Sequence, residues 1–415
     1  VTLPTVTVKF GGTDRTSSIM SATIRHGRSD PANLPEASTL SLALLGPLPA
    51  GVKIGTTVSL VAHLAGVDYP RFSGRVTDLG LAWDDPDTPV PQLIAAGALS
   101  DMGRVVIGDT PWPAELDGAR ANRVIGLAGV PTDAARTDPG QVTVLARDVD
   151  AQPALDVAND AAIAGSGLVW QARDGAVLYA DGEHRRNLPV SLELVAADLP
   201  VTLGFRQSYN GLVNDVRVRW GATTPQSEWR ATNSASMALY GTIGASLSTI
   251  LASALDAGAL ARYMISRQSV PAWVFESISM PLEWLDDIDP TLGAKLLALD
   301  MHALINVTGL PAGAPWTSAL QWIEGWTETI TAAPNGGVGS YRLEFAVSDY
   351  CRTAGTLRWD DVDPAYTWDT VDPSMTWDST ACLPPQPSRG RWADVSASLR
   401  WDQVAPAVTW DTWTG

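Results

Sequence analysis

The sequence, 415 residues long, predicts a mainly β fold with an α/β insertion: two antiparallel β-barrel domains, a helix-containing module between them, and a Trp-rich β-repeat C-terminal tail. Three observations carry this expectation. Apolar and polar residues alternate through two long regions, 1–105 and 200–350, broken by Gly and Pro clusters in the manner of successive strands. Between them, over 106–199, the alternation gives way to a helical pattern and a short hairpin. Beyond 350, tryptophan recurs every nine residues. A chain this long is expected to hold two to four domains, and these four segments are the expected divisions.

In the first segment, Val6, Val8 and Phe10 alternate before the turn Gly11-Gly12. Met20, Ala22 and Ile24 follow, then Leu40, Leu42 and Leu44, then Val58, Leu60, Ala62 and Leu64. The stretch Phe72 to Asp78 continues the pattern into Leu79, Leu81 and Trp83. In the second segment, Asp150 is placed to cap a helix with Pro153 in its first turn, Leu155, Ala158 and Ala162 on one face, and Gly165 as its stop. Leu168 to Ala172 and Ala176 to Ala180 then form a hairpin turning at Asp174-Gly175. The third segment opens on a strand through Val213, Val216 and Val218. The Ala- and Leu-rich stretch Leu247 to Ile265 reads as helix. Leu320 to Ile330 reads as a strand that turns at Pro334-Asn335-Gly336-Gly337 and returns through Tyr341, Leu343, Phe345 and Val347.

The tail carries tryptophan at 359, 368 and 377 and again at 392, 401 and 410, in a unit close to Trp-Asp-x-Val-x-Pro-x-x-Thr. A Pro-rich stretch, Leu383 to Arg389, separates the two arrays. Nine residues is far short of the roughly 40 that a propeller blade needs. In an antiparallel pair, residues equidistant from the turn lie opposite each other. The midpoints of Trp359/Trp368, Trp368/Trp377 and Trp401/Trp410 fall on Asp363-Pro364, Asp372-Pro373 and Ala405-Pro406. Pro disfavours continuing a strand there, so two small meanders are expected. The row Trp359, Trp368, Trp377, Trp392, Trp401 and Trp410 is either a packing row or a glycan-contact row.

A formal net charge of −17 and a pI near 4.5 argue against a protein that grips nucleic-acid phosphates. Only Lys9, Lys53 and Lys295 are lysines, and with abundant Ala, Gly and Pro this points to GC-rich coding. Two cysteines, Cys351 and Cys382, are too few for a disulfide scaffold or a cysteine-rich zinc site, and whether they pair is open. No secretory signal pattern opens the chain, and no apolar run of about 18 residues predicts a transmembrane helix.

No catalytic motif stands out. There is no Gly-x-Ser-x-Gly elbow and no phosphate-cradling Gly-x-x-x-x-Gly-Lys-Ser/Thr. The histidines, His26, His63, His184 and His302, are scattered and show no paired metal spacing. The aspartate clusters Asp84-Asp85-Pro86-Asp87 and Asp286-Asp287-Ile288-Asp289-Pro290 sit beside prolines, where aspartate serves turns. Neither a catalytic residue, a cofactor nor a metal is expected, and the chain is read as no enzyme.

The order of several short segments resembles the tail-tip hub (minor tail, baseplate hub-like) proteins of long-tailed bacteriophages, most closely those of actinobacterial siphophages. Ser21-Ala22-Thr23-Ile24-Arg25-His26-Gly27-Arg28, Ala37-Ser38-Thr39-Leu40 and Phe72-Ser73-Gly74-Arg75-Val76-Thr77-Asp78 are similar to the first barrel of that family. Gly167 to Asp181 is similar to its inserted module. Asn214-Asp215-Val216-Arg217-Val218, Tyr240-Gly241 and Glu324-Gly325-Trp326-Thr327-Glu328 are similar to its second barrel. The likeness covers roughly residues 1 to 350.

That resemblance implies a homotrimeric ring, two related barrels per chain, at the tail tip of a virion assembled in the host cytoplasm. The implied partners are the distal tail protein, the tape-measure protein and other tip proteins. The implied function is structural: to close the tail tube, anchor the tip and open for DNA ejection. One rival is a carbohydrate- or receptor-binding tail protein using the Trp-rich C-terminus; a second, a cell-wall hydrolase, is favoured only by the aspartate clusters.

Overall fold

The computed structural model describes residues 3–349 apart from 86–87, 109–110, 148–149, 186–187, 199–202, 272, 288 and 335–336. The Trp-Asp tail with its tryptophan row, both cysteines and the centre of the Pro334–Gly337 turn lie outside the described residues. Asp87 and the whole tail repeat therefore stay as read from sequence.

The alternation seen in the sequence becomes a set of one-face-buried strands. Thr5–Phe10 buries Val8 and Phe10, Glu36–Leu44 buries Leu40, Leu42 and Leu44, and Thr57–Leu64 buries Val58, Leu60 and Ala62. Ile19–Gly27 and the 19-residue strand Val67–Asp85 complete the expected set. A further strand, Thr88–Gly97, pairs antiparallel with Val67–Asp85.

Twelve strands form one sheet. Its path runs Val190–Val195, Leu304–Thr308, Ala319–Ala332, Ile19–Gly27, Glu36–Leu44, Thr88–Gly97, Val67–Asp85, Thr57–Leu64, Thr5–Phe10 and Thr13–Asp14. Val338–Asp349 and Ile278–Pro281 branch from Ala319–Ala332. The protein is mainly β as expected, but hydrogen bonding among the described residues traces no closed barrel. Instead of two separate barrels, the two β regions share a sheet, because Gly325–Thr331 pairs directly with Ser21–Gly27. The sheet is also mixed rather than purely antiparallel, since Val190–Val195 runs parallel to Leu304–Thr308.

The strand Ala319–Ala332 changes partner along one edge. Its first residues, Ala319 to Trp322, pair with Leu304–Val307, and from Gly325 onward it pairs with Ile19–Gly27. At the changeover, on the opposite edge, the register with Val338–Asp349 slips between Ile323 and Gly325. Glu324 is the extra residue of this bulge, a feature that bends a strand and re-aims a side chain.

The helical pattern also materialises. Helix Ala154–Ala164 ends at Gly165 and buries Val157, Ala158, Ala161 and Ala162. It starts directly after Pro153, and Asp150 makes no cap. It packs with helix Asp117–Ala128 and the hairpin Leu168–Gln171/Val177–Ala180 around their own core. The hairpin turns at Gly175 with φ +96°, a conformation that suits glycine. The Leu247 to Ile265 stretch divides in two: Gly244–Ser248 is a strand beside Asp215–Trp220, and helix Ala254–Gln268 begins only after Ser253. The reason is local, since the Ser253 hydroxyl accepts from the amides of Leu255 and Asp256 and fixes the helix start.

Candidate functional site: a buried ionic junction and its cleft

Two glutamates four residues apart on one strand, Glu324 and Glu328, are fully buried. A buried carboxylate is tolerated only when paired and hydrogen-bonded, and both are satisfied by residues distant in sequence. Glu324 Oε2 accepts from Arg28 Nε at 2.8 Å and Arg185 Nη2 at 3.0 Å. Its Oε1 accepts from Arg185 Nη1 at 2.6 Å and Ser348 Oγ at 2.5 Å. Glu328 Oε1 accepts from Arg71 Nε at 2.8 Å and Trp326 Nε1 at 2.7 Å, and Oε2 from the Tyr341 hydroxyl.

Arg28 and Arg71 come from the N-terminal β region and Arg185 from the end of the inserted module, so the junction clamps three segments at the partner changeover. Arg71 and Arg185 also lie over the rings of Trp326 and Trp322, each 5.4 Å from the centroid. The backbones approach closely here. A Cβ on Gly27 would sit 2.4 Å from the Glu324 carbonyl oxygen, and one on Gly325 2.4 Å from that of His26.

Burial alone would raise the Glu324 pKa, but Arg185 and Arg28 outweigh it and hold it at about 2. Glu328 is likewise lowered, Arg71 outweighing its burial. Both carboxylates are therefore held ionised, and every oxygen of the pair accepts at least one hydrogen bond.

The histidines, scattered in sequence, are not scattered in space. His184 and His302 meet edge to face with centroids 4.9 Å apart. His184 Nδ1 lies 2.7 Å from Asp138 Oδ2, and His302 Nδ1 accepts from Arg185 Nε at 2.7 Å. With Nδ1 as acceptor, the proton of His302 sits on Nε2. That Nε2 is buried and has no hydrogen-bond partner among the described residues. Both rings line an open cleft of about 530 Å3, together with Arg136, Lys295, Asp300 and apolar walls that include Trp170 and Leu299. Burial pushes Asp300 up to about 6.

His26 lies beside the junction, stacked on Trp326 with ring centroids 4.6 Å apart. Its Nε2 donates to the Arg71 carbonyl at 2.6 Å, and Nδ1 accepts from Ser38 Oγ at 2.6 Å. This neutral ring is held by burial, which lowers its pKa from 6.5 to about 4. Between those values the unfolded chain binds a proton that the folded one refuses, so stability falls as pH drops from about 6.5 to about 4. The loss is about 3 kcal/mol at 1.36 kcal/mol per unit. Urea midpoints at pH 7 and pH 4 should therefore fall further for the parent than for His26→Gln. The opposing contribution of Asp300 is present in both proteins and cancels in the difference. Equal falls would remove His26 from the account.

No protein-family model matches the chain, and no curated protein matches it. Two solved structures share its fold over most of their length. The 43 kDa tail protein of prophage MuSo2 from Shewanella oneidensis superposes with a TM-score of 0.58 at 12% identity, covering 83% of this chain and 98% of that one. The tail protein from Neisseria meningitidis MC58 gives 0.57 at 9% identity, covering 83% and 96%. The chain shares the fold of these two tail proteins.

Several segments that carry the sequence resemblance to tail hub proteins have physical roles in this tail-protein fold. Glu324-Gly325-Trp326-Thr327-Glu328 is the ionic junction itself, while His26, Gly27, Arg28 and Ser38 are its partners. Asn214 is fully buried, donates to the Gly241 carbonyl at 2.8 Å and accepts from the Ile243 amide at 2.7 Å, which ties together Asn214-Asp215 and Tyr240-Gly241. Arg71 and Arg185 carry no signal in the sequence, because an arginine within a strand (Arg71) or in a polar turn (Arg185) reads as solvated. Of the aspartate clusters, Asp289 accepts from the amide and hydroxyl of Thr291, both at 2.8 Å, which is turn chemistry. The side chains at 84–87 and 286–287 lie outside the described residues.

Proposed function

We propose that the chain is a structural tail-tip hub: a ring-forming minor tail protein of a siphophage virion that closes the tail tube, anchors other tip proteins and opens for DNA ejection. The observation that carries the reading is the tail-protein fold, shared over nearly the full length of two tail proteins. In this reading residues 1–105 and 200–350 are the two hub units, 106–199 is the inserted module, and the ring is a homotrimer. Its neighbours are the distal tail protein and the tape-measure protein. The buried, ion-paired carboxylates of the junction serve as a clamp between segments, which supports a structural role. A net charge of −17 would repel DNA passing through the ring.

An exposed two-stranded arm supports this reading. Val67–Asp85 pairs with Thr57–Leu64 only as far as Arg75, and Thr88–Gly97 pairs with Glu36–Leu44 only from Gln92. Beyond those points the two strands continue as a two-stranded arm with both edges open among the described residues. Leu81 and Trp83 stand on it 52% and 57% exposed. Open edges and exposed aromatics seek a partner surface. Native mass spectrometry should find a species of three times 43.9 kDa, and Trp83→Asp should shift it to monomer with an unchanged circular dichroism spectrum. A parent that is monomeric at every concentration and within assembled tails would overturn the hub reading.

A further inference from the structure

The cleft beside the junction combines three features. Its apolar wall includes Trp170 and Leu299. Its rim carries the cations Arg136 and Lys295, about 37% and 51% exposed. At its back, His302 is 3% exposed and presents an Nε2–H without a partner among the described residues. A buried, unsatisfied donor costs about 1–3 kcal/mol, so an acceptor is expected to reach it. Asp300, the carboxylate of the lining, is already engaged by the amides of Met301 at 2.9 Å and Arg173 at 3.3 Å. The cleft thus calls for a bulky apolar group joined to an anionic acceptor. Its volume of about 530 Å3 falls in the ~300–1,000 Å3 range of pockets that enclose such groups.

The chain carries that combination itself. Trp359-Asp360 is the first Trp-Asp pair of the tail repeat, ten residues beyond Asp349. Asp349 pairs with Gln321, and Gln321 with Ile305, two residues from the cleft-lining Ala303. Two strand spacings and two residues put Asp349 on the order of 10–15 Å from the cleft. Ten residues extended reach about 33–36 Å, so the span is easily made within one chain. Ser348, beside Asp349, already hydrogen-bonds Glu324, whose partner Arg185 donates to His302.

We propose that the cleft is the docking site for the chain's own Trp359-Asp360 pair, the indole against the Trp170 and Leu299 wall and the carboxylate toward Lys295, Arg136 and the His302 Nε2–H. The function of the nine-residue repeat, in its first unit, is then to latch the C-terminal segment onto the module that supplies Arg185. This holds whether or not the protein is a tail hub.

Lysine usage makes the test sharp. The last 65 residues contain no lysine, and Lys9, Lys53 and Lys295 are the only ones in the chain. Carbodiimide cross-linking of the full-length protein, read by mass spectrometry, should join Lys295 to Asp360 or its neighbour Asp361. The yield should be at least about tenfold above any link from Lys9 or Lys53 to the tail, as a tethered contact at high effective concentration predicts. The Lys295–Asp289 contact at 3.0 Å serves as internal control. Trp359→Ala should bring the Lys295 link down to the Lys9 level. Absence of the link beside a positive control, a yield unmoved by Trp359→Ala, or links formed only between isotopically distinct copies would each overturn the proposal.

Discussion

Glu324→Gln should lower stability by about 3–5 kcal/mol, because it strips the shared counter-charge from two buried guanidinium groups at once. Arg28 and Arg185 are 9% and 8% exposed, so water cannot replace the lost carboxylate oxygens. An amide keeps the shape and one acceptor, which confines the change to charge and to a misdirected NH2 facing Arg185 or Arg28. The triple variant Arg28→Met, Glu324→Leu and Arg185→Met should recover much of the loss, since a packed apolar group of similar volume often matches a buried ion cluster. Urea denaturation of the parent, single and triple variants measures both. A single variant within about 1 kcal/mol of the parent would show that the junction is solvated and that its role as a clamp is wrong.

Gly27→Ala is the second large effect, and it acts through backbone rather than charge. Gly27 has φ +74°, which an L side chain adopts at a cost of about 1–3 kcal/mol. Its Cβ would also meet the Glu324 carbonyl oxygen at 2.4 Å and Gly325 Cα at 2.7 Å, so the two strands must part at the point where they join the β regions. Overpacking of this kind adds about 1–3 kcal/mol. The expected result is the loss of the folded state or a thermal midpoint lowered by many degrees. Gly12→Ala is the matched control, with φ +83° but nothing within 4 Å of the added Cβ. Equal effects at the two sites would mean that conformation alone, and not the strand contact, sets the requirement.

The local elements were legible in the sequence because their signals are local. The alternation of Val8 and Phe10, or of Leu40, Leu42 and Leu44, reports a one-sided strand whatever it pairs with. Gly165 and Asp174-Gly175 stop and turn the chain by their own backbone preferences. What the sequence hid was partnership at long range. Nothing in Ser21 to Arg28 states that it will pair with Gly325 to Thr331 rather than close a barrel with its own neighbours. The site shows the same division. The Glu324 to Glu328 stretch was visible as a motif, but its cations lie 296, 257 and 139 residues away. His184 and His302, unremarkable when apart, become a cleft only after the module folds back. Helix Asp117–Ala128 went unread because its hydrophobic stripe is thin: Asp117 and Arg120 are buried within it.

The pairing of Ile19–Gly27 with Ala319–Ala332 also governs how the chain comes off the ribosome. When the N-terminal strands emerge, the outer edge of Ile19–Gly27 has no mate, and none exists until nearly 300 residues later. At about 5–20 residues per second, translation leaves that edge open for roughly 15–60 s. For that interval the nascent chain carries a β-edge ready to zip onto another copy emerging from the same polysome. Its vectorial synthesis, more than its final stability, is therefore where a trigger-factor-type holdase has the most to protect.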